Sequence, residues 1–387
     1  MPEATATPTS SHRSMLALTL VAGLGPARIR RLVAVLGSAE RAAHASAADL
    51  SSIPSIGEAT ARKLAAGLAQ SRQETDAELE LVERAGVKLV AYTDGTYPAA
   101  LRHDEYAPAL LYVRGTLDGL ADRGLGIVGS RKCSAYGLDQ AARFAGTLAG
   151  QGWWIVSGGA RGIDTAAHRA ALRVNGQTVA VLGCGLGRCY PEENAPLFDE
   201  IAEDGGAVVS ELPMRRGPEP RNFPARNRII AGLSRGVLVV EAARGSGALI
   251  TARQAGEQGR DVMAVPGRAD LESSRGCHDL IRDGATLVSA PEEAAEMLES
   301  GAAGVLYQPP PPATASRDGL NADGATDYER IPNSVEDRVL AALDEPLTMD
   351  QVCVRLGLPP EQVRASVTLL EVRRRIRRQD GRLLRSR

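Results

Sequence analysis

The chain has 387 residues, too many for one ordinary domain, so two or three are expected. At 44% hydrophobic and 24% charged it has the composition of a soluble globular protein, and no uninterrupted apolar run reaches the ~18 residues of a membrane span. The formal net charge is −2, so there is no global basic excess, and a nucleic-acid site would have to come from local segregation of charge.

Such segregation is visible: from Arg364 onward there are nine Arg and only two acids, Glu371 and Asp380. Cys133, Cys184, Cys189, Cys277 and Cys353 are odd in number and lack the paired spacing of a zinc site, which suits reduced thiols in a cytoplasmic protein. The N-terminal segment MPEATATPTSSHRS is polar, without the apolar stretch of a secretory signal.

In chain order, residues 1–14 read as a disordered tail. Residues 15–83 form a helical module with two similar segments, LVAGLGPARIRRLV (20–33) and LSSIPSIGEATARKLA (50–65). Gly23, Gly25 and Gly57 are expected to supply turn conformations that exclude a Cβ. The pattern resembles tandem helix-hairpin-helix elements, whose hairpin amides meet phosphates. A small helical bundle that only packs fits it equally well.

Residues 84–300 read as a Rossmann-like core. Strand candidates are LVAY (89–92), LGIVG (125–129), WIVSG (154–158), VAVLG (179–183), AVVS (207–210), VLVVEA (237–242) and VMAVPG (262–267). Their near-continuous apolar character suits strands buried on both faces of a parallel sheet, and the helical stretches between them complete a doubly wound α/β pattern. Residues 301–332, with four consecutive prolines, read as a linker. Residues 333–387 read as three helices, at 334–345, 347–358 with Thr348 as N-cap, and 359–374, followed by a hairpin turning at Asp380-Gly381. Together these make a winged helix, which serves either nucleic-acid or protein contact.

Several Gly-rich turns follow predicted strands, where phosphate loops belong in such sheets. In the first, Gly129 and Ser130 offer amides and a hydroxyl to a phosphate oxygen, and Arg131 offers a bidentate fork. In the second, Ser157 and Gly158 close a strand ahead of Arg161, and Asp164 caps the next helix. Asp164 and His168, four apart, share a helical face, but a cap and a packed His account for them without a metal. In RNFPARNRII, Arg221, Arg226, Asn227 and Arg228 surround Phe223, the chemistry that grips a single strand: charge on phosphate, ring on an unstacked base. Ser246-Gly247 opens another helix.

These motifs, GSR (129–131), SGGARGID (157–164) with AH (167–168), GCGLGRCYP (183–191), SELP (210–213), FPARNRIIAGL (223–233), VEAARGSGALITA (240–252), VPG (265–267) and LIRDGA (280–285), span about 160 residues in the order found in the DNA-processing protein A (DprA/Smf) family, which the chain resembles. The resemblance implies an extended Rossmann-like fold with an N-terminal helix-hairpin-helix/SAM-like module and a C-terminal winged helix. It implies non-enzymatic binding of single-stranded DNA, a homodimer through the core, and delivery of the strand to the recombinase RecA in natural transformation. It also implies DNA contact at Arg131, Arg161, Phe223, Arg226 and Arg228. The sequence departs from the family at Gly159, where Leu is usual, and at Pro220, where Lys is common. No cofactor or metal is expected. The competing reading is a nucleotide-processing hydrolase of the lysine-decarboxylase-like type, but EAARGSGALITARQA (241–255) lacks the catalytic Glu of the P-G-G-x-G-T-x-x-E motif such proteins carry, and Glu241→Ala would test it; a nicotinamide dehydrogenase is disfavoured because no G-x-G-x-x-G follows the first strand.

Overall fold

The computed structural model describes residues 8–53, 56–102, 104 and 106–300, and parts of the stretch from 339 to 385. The chain divides into two compact units, Met1–Ala313 and Thr314–Arg387.

The first unit opens with helices α1 (Ser10–Leu20), α2 (Pro26–Leu36), α3 (Ala39–Ala43), α4 (Ala47–Ser51) and α5 (Glu58–Arg84). Helix α1 begins inside the stretch expected to be a tail, because Thr9 and His12 form a reciprocal capping box and His12 Nε2 reaches Asp94 at 2.7 Å. Only Gly23 of the three hairpin glycines has positive φ (80°). Gly25 and Gly57 are extended N-caps of α2 and α5, with φ of −76° and −72°, so their backbone does not require glycine.

Among the described residues the sheet has nine strands: β1 (Lys88–Ala91), β2 (Leu110–Gly115), β3 (Gly124–Val128), β4 (Trp154–Ser157), β5 (Thr178–Val181), β6 (Ala207–Ser210), β7 (Gly236–Val239), β8 (Asp261–Ala264) and β9 (Thr286–Leu287). Their order is β1-β2-β6-β5-β4-β3-β7-β8-β9, with helices α6 (Ala99–Arg102) after β1 and α9 (Ala195–Glu203) after β5. From β6 to β9 every pair is parallel. At the other edge β2 runs antiparallel to β6, and β1 antiparallel to β2.

Period-2 alternation sends the two faces of each central strand to different cores. Val128, Val156, Val179, Val181, Val209, Val237 and Val239 pack with Ile229 and Ile230 of α10 (Asn222–Gly232) and Ala252 of α11 (Gly247–Glu257). Leu125, Ile127, Ile155, Leu238 and Met263 pack with Phe144 and Leu148 of α7 (Ala135–Gly150) and Ala167 of α8 (Ile163–Arg173). This is the doubly wound arrangement expected from the apolar runs. The helical module is continuous with the sheet edge: Leu18, Leu50 and Leu68 share one core with Leu89, Leu110, Tyr112 and Met214.

In the second unit, Leu347–Thr348, Ile376–Gln379 and Arg382–Arg385 form a small antiparallel sheet beside the helix Met349–Leu356. Thr348 caps that helix: its hydroxyl accepts from Gln351 N while Gln351 Oε1 accepts from Thr348 N. The expected helices at 334–345 and 359–374 and the turn at 380–381 lie largely outside the described residues, as do residues 301–332 and 1–7.

His168 is buried between α8 and β5. The Thr178 hydroxyl donates to Ile155 O (2.6 Å), so the 2.7 Å contact to His168 Nδ1 requires that nitrogen to carry the proton, and Nε2 is left buried without a partner. Burial lowers the imidazole to about 3. Its contribution to stability is complete above about pH 6.5 and is lost as pH falls toward 3, at roughly 1.4 kcal/mol per unit. Asp164, pushed up by burial to about 6, acts in the opposite sense below pH 6. The informative comparison is therefore parent against His168→Gln in urea unfolding between pH 7.5 and 4.5: the variant's stability should fall less steeply on the acid side, by about one proton.

Candidate nucleic-acid interface

The chain lays down β3, β4, β5 and β6 in one direction and returns to place β7 on the other side of β3. Ligands in such sheets sit outside the carboxyl ends of the strands, near this reversal. Between β3 and β7, however, the space is filled. A Cβ on Gly129 would lie 2.5 Å from Ile163 Cγ1 and 2.9 Å from Glu241 O. Glu241, only 3% exposed, accepts from the backbone N–H of Ser134 (3.0 Å) and from its hydroxyl (2.5 Å). The accessible groups lie over the ends of β3, β4 and β5.

There the two Gly-rich loops stack on one another. Gly162 has φ of 77°, and a Cβ on it would lie 2.4 Å from Ser130 O. The Ser130 N–H donates to Glu241 O (2.7 Å) and its hydroxyl oxygen accepts from Lys132 N (3.1 Å). This turn presents Arg131 5.1 Å from the centre of the Phe223 ring. Phe223 lies 5.5 Å from Tyr190, tilted by 54°, and Arg161 lies 6.0 Å from the Tyr190 ring. Arg131, Phe223, Tyr190 and Arg161 thus form a continuous cation–aromatic–aromatic–cation line across the carboxyl ends of the central strands. Both rings are half-buried and both guanidinium groups exposed. Arg161 is paired with Glu193, through Nη2 at 2.9 Å and through Nε. Tyr190 was not singled out from the sequence; its signal was an aromatic closing the Gly-rich loop after β5.

The remaining expected residues sit below or beside this line. The Ser157 hydroxyl is wholly buried and donates to Ile127 O (2.6 Å), tying β4 to β3. Arg226, 4% exposed, donates through Nη1 to Gly158 O (2.7 Å) and to Val181 O. A Cβ on Gly158 would lie 2.6 Å from that guanidinium. Asp164 accepts from Gly158 N (3.1 Å) and Ala160 N (3.3 Å) instead of capping α8, whose N-cap is Gly162. Burial raises the Asp164 carboxyl, with Arg226 opposing. Burial also lowers Arg226, to about 10, with Asp164 opposing, so it stays protonated at neutral pH. Arg228 is spent on Glu211 (2.9 Å). The R-N-R segment therefore directs its charge into the protein on two faces of α10: Arg226 toward the carbonyls at the strand ends and Arg228 toward Glu211. Arg221 is exposed and shares its charge with Glu219 (2.8 Å). Asn227 donates to Gly247 O (3.3 Å), linking α10 to the start of α11, which Ser246 caps.

A family model described as DNA recombination-mediator protein A matches residues 88–299; a DprA winged helix domain matches 308–382, and a SAM-like helix-hairpin-helix tandem 15–70. The protein Smf of Escherichia coli K12 is 41% identical over 313 residues, covering 81% of each chain. The X-ray structure of DprA from Streptococcus pneumoniae superposes with a TM-score of 0.64 at 36% identity, over 73% of this chain and 96% of that one. A DprA structure from Helicobacter pylori, described for its single-stranded DNA binding mode, superposes with a TM-score of 0.50 at 29% identity, over 55% of this chain and 96% of that one.

The loop stack depends on Gly162. Gly162→Ala is expected to destabilise the protein by at least about 1–2 kcal/mol in urea unfolding, since it adds left-handed strain to a backbone clash.

Proposed function

Because the chain belongs to the DprA/Smf family of DNA recombination-mediator proteins, we propose that it binds single-stranded DNA without turnover and passes the strand to the recombinase RecA in natural transformation. The observation that carries this reading is the line Arg131–Phe223–Tyr190–Arg161. Rings accept unstacked bases of any sequence at about 1–3 kcal/mol each, and flanking guanidinium groups neutralise phosphates. The Gly129-Ser130 and Gly158-Gly159 turns bring the backbone close beneath them. Arg161 must exchange Glu193 for phosphate, at the small cost of opening an exposed ion pair. Arg226 acts as a positioning residue: it holds the floor and does not reach the strand. The reading extends to a cytoplasmic homodimer joined through the core, in keeping with the family.

Glu241 bears on the hydrolase alternative. Its carboxylate is buried and occupied by Ser134, and it closes the crevice in which a nucleotide would sit. The observation favours binding over hydrolysis.

The test is a salt titration with oligo-dT and with a duplex of the same length. Binding should favour the single strand, and Arg131→Ala should flatten the slope of log K against log salt by roughly 0.7. An unchanged slope removes Arg131 from the interface. With the same oligonucleotide, the protein should accelerate RecA filament formation; no acceleration removes the RecA step from the reading.

A further inference from the structure

Next to the aromatic line, the loop after β5 and the turn that packs on it carry arginines that make no ion pair among the described residues. The loop Gly183–Tyr190 begins and ends at Phe223. A Cβ on Gly183 would lie 2.9 Å from the Phe223 ring, and Tyr190 packs against that ring at 5.5 Å. Between these two points the loop is zipped to the turn Pro213–Arg216. Gly185 N donates to Arg216 O (2.9 Å), Gly187 N to Met214 O (3.0 Å), and Arg216 N closes the turn on Pro213 O (2.9 Å). The approach is so close that a Cβ on Gly187 would lie 2.7 Å from Met214 O. The turn is anchored in its turn: Met214 N donates to Glu78 Oε1 (2.6 Å), and the same oxygen accepts from the Tyr112 hydroxyl (3.1 Å). The double loop is thus a fixed shelf beside the platform.

Its charge is one-sided. Arg216 and Arg221 share Glu219, at 3.2 Å and 2.8 Å. Arg188 and Arg215 are exposed, and among the described residues neither has a carboxylate partner. Two exposed guanidinium groups without an ion pair, on a shelf held by backbone hydrogen bonds, suit a polyanion that runs across it.

We propose that this double loop is an exit track for single-stranded DNA: Arg188 and Arg215 neutralise phosphates of the strand as it leaves the Phe223–Tyr190 platform. The proposal rests on the single-strand reading above and extends its length. Bases stack on the rings, so the backbone must continue past the line, and Arg188 lies two residues before Tyr190 on the loop that runs beside it. The platform engages a short oligonucleotide by itself; the shelf adds contacts only when the strand is long enough to cross it.

The experiment compares the full chain, Arg131→Ala and the double variant Arg188→Ala/Arg215→Ala on oligo-dT of about 4 and about 30 nucleotides, each titrated with salt. Both substitutions lie on the exposed surface, and thermal unfolding checks that the fold is retained. On the long strand the double variant should lose roughly 1.4 from the salt slope, two contacts at about 0.7 each, while the short strand binds within about twofold of the parent. A parent-like slope on the long strand, as for a shelf that meets an acidic protein surface instead, overturns the proposal; so does an equal loss at both lengths. If Arg131→Ala is neutral and the double variant loses slope at both lengths, the platform reading fails and so does the exit track built on it. If Arg131→Ala alone loses slope, only the shelf is removed.

Discussion

The Arg226 guanidinium lies under the strand ends and donates to the carbonyls of Gly158 and Val181, which close β4 and β5. An uncompensated buried charge costs several kcal/mol, and removing one partner of a buried pair costs about 3–5 kcal/mol. Here Asp164 supplies the compensating charge, while its oxygen takes the amides of Gly158 and Ala160. One buried group therefore fixes the conformation of the second Gly-rich loop and the position of α10. Phe223 is in the first turn of that helix, so the ring's place follows from a contact made about one turn further along the chain. The exposed cation–aromatic line is the outer side of a structure whose inner side is this network.

The same economy of space explains where the exposed cation–aromatic line lies. In sheets of this topology the crevice at the strand-order reversal commonly takes a nucleotide. In this chain Ile163 and Glu241 occupy it, and Gly129 and Gly137 let them approach: a Cβ on Gly137 would lie 2.5 Å from Glu241 Oε2. With the crevice shut, the loops after β3, β4 and β5 form an open edge suited to a chain-like ligand. A formal charge of −2 is compatible with such an edge, because Arg131, Arg188 and Arg215 stay exposed while other guanidinium groups are matched by Glu211, Glu219 and Glu193.

Much of the fold was legible because buried parallel strands demand short apolar runs closed by turn residues. All seven predicted strands are present, each within a few residues of the reading. Strand β2 was missed although LLYV carries the same signal, and β9, at two residues, is too short to stand out as a run. Strand direction was not legible either: β1 and β2 look like their parallel neighbours in composition, and only the order of pairing makes that edge antiparallel. The expected tail was cut short by a capping box at Thr9 that depends on the His12 side chain as well as on local propensity.

The sequence marks the Gly-rich loops that meet at the candidate site, because glycine at Gly162 and cationic or aromatic residues beside strand ends are local requirements of close approach and of charge. It could not assign direction to side chains within a motif. Arg226 and Arg228 look equivalent to Arg131 along the chain, yet they point into the protein, and Tyr190 enters the line from a loop more than thirty residues before Phe223. Which arginine is buried and which faces water follows from the rotation of α10 on the sheet and from the carbonyls and carboxylates that lie beneath it. Those are long-range neighbours, and only the tertiary structure brings them together.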